Sequence, residues 1–238
     1  MMRKIFLKVK DLLKKSKIQI TILLIYLLFT LIFLYPASMH LKSSIISDGG
    51  DAGQAIAMFY YWKYNTTHLL NPFYTIFQLA PYGASLVFIQ PTLIWFIISI
   101  PFQCIFGFPA TYNLMIILGI TAGAFLMYRL AFLYTQDMWA SFLSGLIFAF
   151  APVNLVHARG HLNLSGIFIM PLFVIFLVKL MQFKQNPGIK DAIYLGIAMT
   201  IAVYIELQTA VFLSLLPALW LLKLYLGKER KRCFFFVI

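Results

Sequence analysis

The sequence predicts an all-α, polytopic transmembrane helix bundle, and three observations predict it. Of the 238 residues 62% are hydrophobic, with a mean hydropathy of +0.89, against about 45–50% apolar in a soluble domain. Only 11% are charged, and these fall in clusters separated by long uncharged stretches, as lipid requires because ionisable groups at mid-bilayer depth are costly. Apolar runs of ~20 residues, the length that crosses a hydrocarbon core, recur along the chain. Too little polar surface remains to cover a water-facing shell, which excludes a soluble domain.

The net charge of +12 does not point to nucleic acid. The basic residues sit beside apolar runs, as in Lys14, Lys15 and Lys17 or Lys228, Arg230, Lys231 and Arg232. That placement is what the positive-inside bias produces, and it also attracts anionic lipid. Cys104 and Cys233 form neither a CxxC pair nor a metal-ligand spacing. The chain therefore reads as a multi-pass plasma-membrane protein with membrane lipid as a partner and no nucleic acid.

Residues 1–17 read as a basic cytoplasmic N-terminus, and residues 18–36 as a first transmembrane helix. That run is longer than a signal-peptide core and lacks a small-residue cleavage site, so it is retained. Residues 37–108 form an extracytoplasmic loop with interfacial helices. It holds Asp48 and Asp51, the turn signals Asp48-Gly49-Gly50 and Asn71-Pro72, and a helical stretch over 51–70. Tyr60, Tyr61, Trp62 and Tyr64 within that stretch suit the headgroup region.

From Ser85 to Tyr128 there is no charge, which is too long for one crossing of ~17–25 residues. Gly107-Phe108-Pro109 divides it. If both halves crossed, Arg129, Lys179, Lys184 and Lys190 would fall outside, against the positive-inside rule. If 86–106 lies along the interface and 110–128 crosses, all of these fall inside. Pro91, Pro101 and Pro109 also suit an irregular interfacial piece.

Residues 109–238 then make the transmembrane bundle, about five further spans with the last incomplete. Spans are expected at 110–128, about 138–156 and about 164–183. A hairpin within 192–226 turns at Glu206, because a single long helix would bury that acid in lipid. The terminal Cys233–Ile238 begins an apolar run of six residues, which is expected to mark a truncated chain or an early-terminated frame. No internal repeat is visible, which weighs against a transporter built on repeated halves.

This topology brings Asp48, Asp51, His157, Arg159, His161, Glu206 and Gln208 to one extracytoplasmic face, from three separate connections. Convergence of acids, a cation and imidazoles at one depth is what a site needs. Asp48 and Asp51, three apart, share a face if their segment is helical. One can accept a proton from an acceptor hydroxyl while the other orients it or holds a divalent metal. The alternative is structural: Asp48 caps a helix beginning near Gly50, with Asp51 in its first turn. Arg159 can bind a phosphate bidentately, flanked by His157 and His161; the alternatives are an ordinary interfacial cluster facing lipid phosphates, or a metal on the HxxxH spacing. Glu206 and Gln208 are either part of the site or a solvated turn. Asn65-Thr-Thr67 and Asn163-Leu-Ser165 match glycosylation acceptors, a triplet common by chance.

Four stretches carry a family resemblance: Asp48-Gly-Gly-Asp-Ala-Gly-Gln54, Pro81-Tyr-Gly-Ala-Ser-Leu86, Tyr112-Asn113-Leu114, and Gly160-His-Leu-Asn-Leu164 followed by Pro171-Leu172. With the first span, the acidic loop and the charge rhythm, they resemble the N-terminal membrane module of GT-C glycosyltransferases. These are the polyprenyl-phosphate-sugar-dependent enzymes, including the protein O-mannosyltransferase and aminoarabinose-transferase relatives; the likeness is closest to a prokaryotic branch of that class. The resemblance implies a GT-C-like bundle and sugar transfer from a polyprenyl-phosphate donor to an extracytoplasmic acceptor. It implies catalysis by an acid early in the first external loop, Asp51 or Asp48, with Arg159 at the lipid phosphate. It requires no cofactor, a divalent metal being the alternative. The competing expectations are a membrane transporter or lipid flippase, or a non-catalytic membrane protein remnant.

Overall fold

The computed structural model describes residues 2–49, 51–86, 92–182 and 189–226, with side chains placed from residue 16 onward except that of residue 182. Gly50, Pro91, Lys184, the basic cluster Lys228–Arg232 and the terminal apolar run with Cys233 lie outside the described residues. The described chain is overwhelmingly helical, and its helices are α1 (Met2–Phe33), α2 (Ala52–Thr67), α3 (Leu93–Phe106), α4 (Phe108–Thr135), α5 (Met138–Ala149), α6 (Pro152–Gly160), α7 (Ile169–Gln182), α8 (Ile189–Ile205) and α9 (Leu207–Leu226).

Among the described residues, three stretches are long and apolar enough to cross a membrane: Ser16–Phe33 of α1, all of α4 and all of α9; a fourth is added if α5 and α6 act as one bent span. Helix α1 shows how such a helix is used. Ile22, Tyr26, Thr30 and Leu34, four apart, are buried, while Ile20, Leu24, Leu28 and Ile32 on the opposite face are exposed. Both faces are apolar, which fits a helix with protein on one side and hydrocarbon on the other.

Contacts fix the helix directions. Gln19 meets Arg129 and Thr30 meets Thr121, so α1 and α4 are antiparallel. The Tyr26 hydroxyl donates to the Phe142 carbonyl at 2.9 Å, and Phe33 stacks on Phe150, so α5 runs with α1. Gly145 sits against the Tyr26 hydroxyl and the Ala124 carbonyl, and only a residue without a side chain fits there. Gly119 lies against the Ser165 carbonyl and Gly123 against Ile167, and farther along Arg129 and Lys179 line one groove, so α7 follows α4 in direction. Phe176 packs on Tyr194 and closes α7 against α8. Ala192 and Leu221 line one cavity, so α8 and α9 form an antiparallel hairpin. The break at Glu206 falls where the sequence places it.

The uncharged stretch also breaks at Gly107-Phe108-Pro109. Gly107 takes φ 79°, and Pro109 occupies the first turn of α4, where its missing N–H costs nothing. Helix α3, at 14 residues, is about 21 Å long, short of a core ~30 Å thick. It packs on α2 through Phe96, which meets Phe59 and Trp62.

Other expectations are corrected. The span expected over 138–156 is interrupted: Phe150 and Ala151 separate α5 from α6, and the two are bent by 45°. Pro152 cannot donate to the preceding turn and restarts the helix. The span expected over 164–183 begins only at Ile169, because residues 163–165 form a 3-10 turn, and its helix is 14 residues long. Trp62 is not at a headgroup surface; it is buried against Phe73 and Phe96. A two-stranded antiparallel ribbon, β1 (Tyr74–Thr75) with β2 (Ala84–Ser85), was not expected in the loop.

Candidate functional site

The acidic loop is shaped by one buried side chain, Asn113, near the start of α4. Its Oδ1 accepts the Ile46 N–H at 2.7 Å, and its Nδ2 donates to the Leu41 and Ser44 carbonyls at 2.9 and 2.8 Å. A primary amide offers donors and acceptors at once, so a single Asn pins three points of an irregular loop that makes few ladder bonds of its own. Asn113 is fully buried.

The loop then docks on the end of α6. The last carbonyls of a helix have no intrahelical partner. Here Arg159 O accepts the Asp48 N–H at 3.2 Å and Gly160 O accepts the Asp51 N–H at 3.1 Å. The loop backbone thus caps α6, and this places both carboxylates beside the His157–His161 segment.

Asp51 Oδ2 lies 3.1 Å from His161 Nδ1, with both side chains part-exposed. Asp51 stands at the N-cap position of α2 but makes no capping side-chain bond there; its carboxylate faces the histidine instead. Asp48 is exposed, and its Oδ1 comes close to Gly160. Residues 48–51 lie ahead of α2, so the two acids do not share a helical face, and Asp48 does not cap that helix. His157 rides on α6 with its ring 6.3 Å from that of His161, which is the residue closing the helix. The Arg159 side chain is exposed at the same end.

Glu206 is not a solvated turn. It is buried, accepts from the Asn163 amide, and takes the Gln208 N–H on Oε1 at 3.2 Å. That is an N-cap geometry for α9. The Gln208 side chain is exposed. Through Asn163, two residues after His161, the α8–α9 break is tied to the Asp51–His161 pair. All seven expected residues therefore lie at one end of the bundle, but Glu206 serves the fold rather than an open surface.

Three residues belong to this end beyond those expected to form the site. Asn113 holds the loop, Asn163 links the histidine turn to Glu206, and Tyr112 presents a fully buried hydroxyl without a partner among the described residues, within electrostatic reach of Asp48. A polar amide inside an apolar run was the available signal for Asn113, since buried polar groups must be paired. The two glycosylation triplets are also explained. The Asn65 amide donates to the Asn71 and Tyr74 carbonyls at 3.0 and 2.7 Å, and the Asn163 amide is held by Glu206.

Among the described residues, no three His, Cys, Asp or Glu side chains gather as a metal-binding group. Asp51 and His161 alone supply two ligand types suited to a divalent ion. Comparison with protein-family models, curated proteins and solved structures returns no match to the chain.

Proposed function

We propose that this chain is a GT-C-like membrane glycosyltransferase that moves a sugar from a polyprenyl-phosphate donor to an extracytoplasmic acceptor. The observation that carries this reading is the Asp51–His161 pair, at the end of the bundle that also holds Asp48 and the exposed Arg159, opposite its membrane-flanking cations. The motif likeness of the acidic loop and of residues 160–164 supports it. By the positive-inside rule the end with Lys17, Arg129, Lys179 and Lys190 faces the cytoplasm. The acids then face outward in a multi-pass plasma-membrane protein.

In this reading Asp51 takes the proton of the acceptor hydroxyl, and His161 orients the carboxylate and shares that proton. The acceptor oxygen bonds to the anomeric carbon as the bond from that carbon to the phosphate oxygen breaks, with inversion. The leaving group is a lipid monophosphate, and the guanidinium of Arg159, exposed at the same end of the bundle, offers donors to its growing charge. Asp48 lies near enough to bind the acceptor. The scheme requires no metal, since charge on the phosphate is met by the guanidinium.

The test is sugar transfer from a labelled polyprenyl-phosphate sugar by the membrane-inserted protein. Asp51→Asn is expected to abolish transfer, and His161→Ala to lower kcat by about 10²-fold, with both variants inserting normally. Undiminished transfer by Asp51→Asn contradicts the assigned base.

A further inference from the structure

A second polar feature lies at the other end of the bundle. Between α4 and α7 runs a groove of about 250 Å³ walled by apolar side chains including Phe125, Leu126, Leu172 and Phe176, with Arg129 and Lys179 among its lining. Among the described residues, no acid lines it. The Lys179 ammonium lies 5.6 Å from the centre of the Phe176 ring. Arg129 Nη1 donates to Gln19 Oε1 at 3.1 Å, which uses one of the five guanidinium N–H groups and, among the described residues, leaves the others for another acceptor. The acid at the α4–α5 turn is already engaged, because Asp137 Oδ1 caps α5 through the Ala140 N–H at 2.7 Å.

Two cations in one apolar groove, with no acid among its described lining residues, call for an anion. The greasy walls favour one that carries hydrocarbon, and Leu133, which also lines the groove, is exposed. We propose that this groove is a binding site for an anionic phospholipid, its phosphate held between Arg129 and Lys179 and its acyl chains along the α4–α7 seam. Guanidinium and ammonium match a phosphate diester in charge and donor geometry, and basic recesses between membrane helices are suited to such headgroups. The inference rests on the membrane reading and is independent of any sugar transfer.

The experiment places the full chain in phosphatidylcholine nanodiscs doped with spin-labelled phosphatidylglycerol or spin-labelled phosphatidylcholine. The readout is the motionally restricted lipid fraction. The expected result is preference for phosphatidylglycerol, lost by roughly tenfold in the double variant Arg129→Gln/Lys179→Gln. The preference is unchanged in Lys42→Gln/Lys63→Gln, which removes equal charge at the other end. Leu172→Trp, which fills the groove and keeps both charges, is expected to lower it as well. Equal loss in both double variants, no headgroup preference, or displacement of the labelled lipid by inorganic phosphate overturns the proposal.

Discussion

The two ends of this bundle are built on opposite principles. At one end Asp48, Asp51, His157, His161 and Glu206 are gathered by buried amides and by backbone groups that cap one another. At the other, Lys17, Arg129, Lys179 and Lys190 stand on α1, α4, α7 and α8; Arg129 is held by Gln19, and Lys179 lies over an aromatic ring. The first end is held in a defined geometry, as a site must be. The second needs only positive charge at a given depth, which long flexible side chains supply. The difference predicts which substitutions propagate into the fold and which stay local.

The largest effect on stability is expected at Asn113. Asn113→Leu removes three hydrogen bonds and strands the N–H of the buried Ile46, for a cost of about 2–3 kcal/mol. Thermal unfolding in detergent measures it, and a thiol reagent should reach a cysteine at Ser44 faster in that variant. Next is Asn163→Leu, which leaves the buried Glu206 carboxylate with the Gln208 N–H as its donor among the described residues, for about 2 kcal/mol. Glu206→Gln is milder, because an amide oxygen still caps α9. Smallest is Arg129→Gln at the basic end, where the exposed contact to Gln19 should leave the melting temperature unmoved. A large drop there would mean that the basic end is also structurally specified.

Several features of this plan were legible in the sequence because each has a local physical signature. Gly107-Phe108-Pro109 divides two helices, since the glycine takes a positive φ and the proline starts the next helix. Glu206 breaks α8 from α9, since an acid within an apolar run must find donors. The relative arrangement of charges followed from the positive-inside bias applied to Arg129 and Lys179. The break at Pro152 was equally readable, because a proline inside an apolar run ends or restarts a helix, yet hydropathy alone merges α5 and α6. Asn113 and Asn163 were not legible as clamps. Their partners lie 67 to 72 positions away for Asn113 and 43 away for Asn163, and no local pattern encodes such a pairing. For Trp62, a tryptophan suits both a headgroup surface and a core, and only its packing on Phe73 and Phe96 decides.

In the proposed topology the acidic, histidine-bearing end and the basic end lie on opposite sides of the membrane, with α3 not crossing. The direct measurement is labelling of single cysteines with an impermeant maleimide on intact and permeabilised cells, in a Cys104→Ser/Cys233→Ser background. Lys42→Cys, in the acidic loop, should label on intact cells; Tyr134→Cys, at the end of α4, and Lys190→Cys should label only after permeabilisation. Labelling of Lys42→Cys and Tyr134→Cys from the same side would require α3 to cross, and would contradict the account.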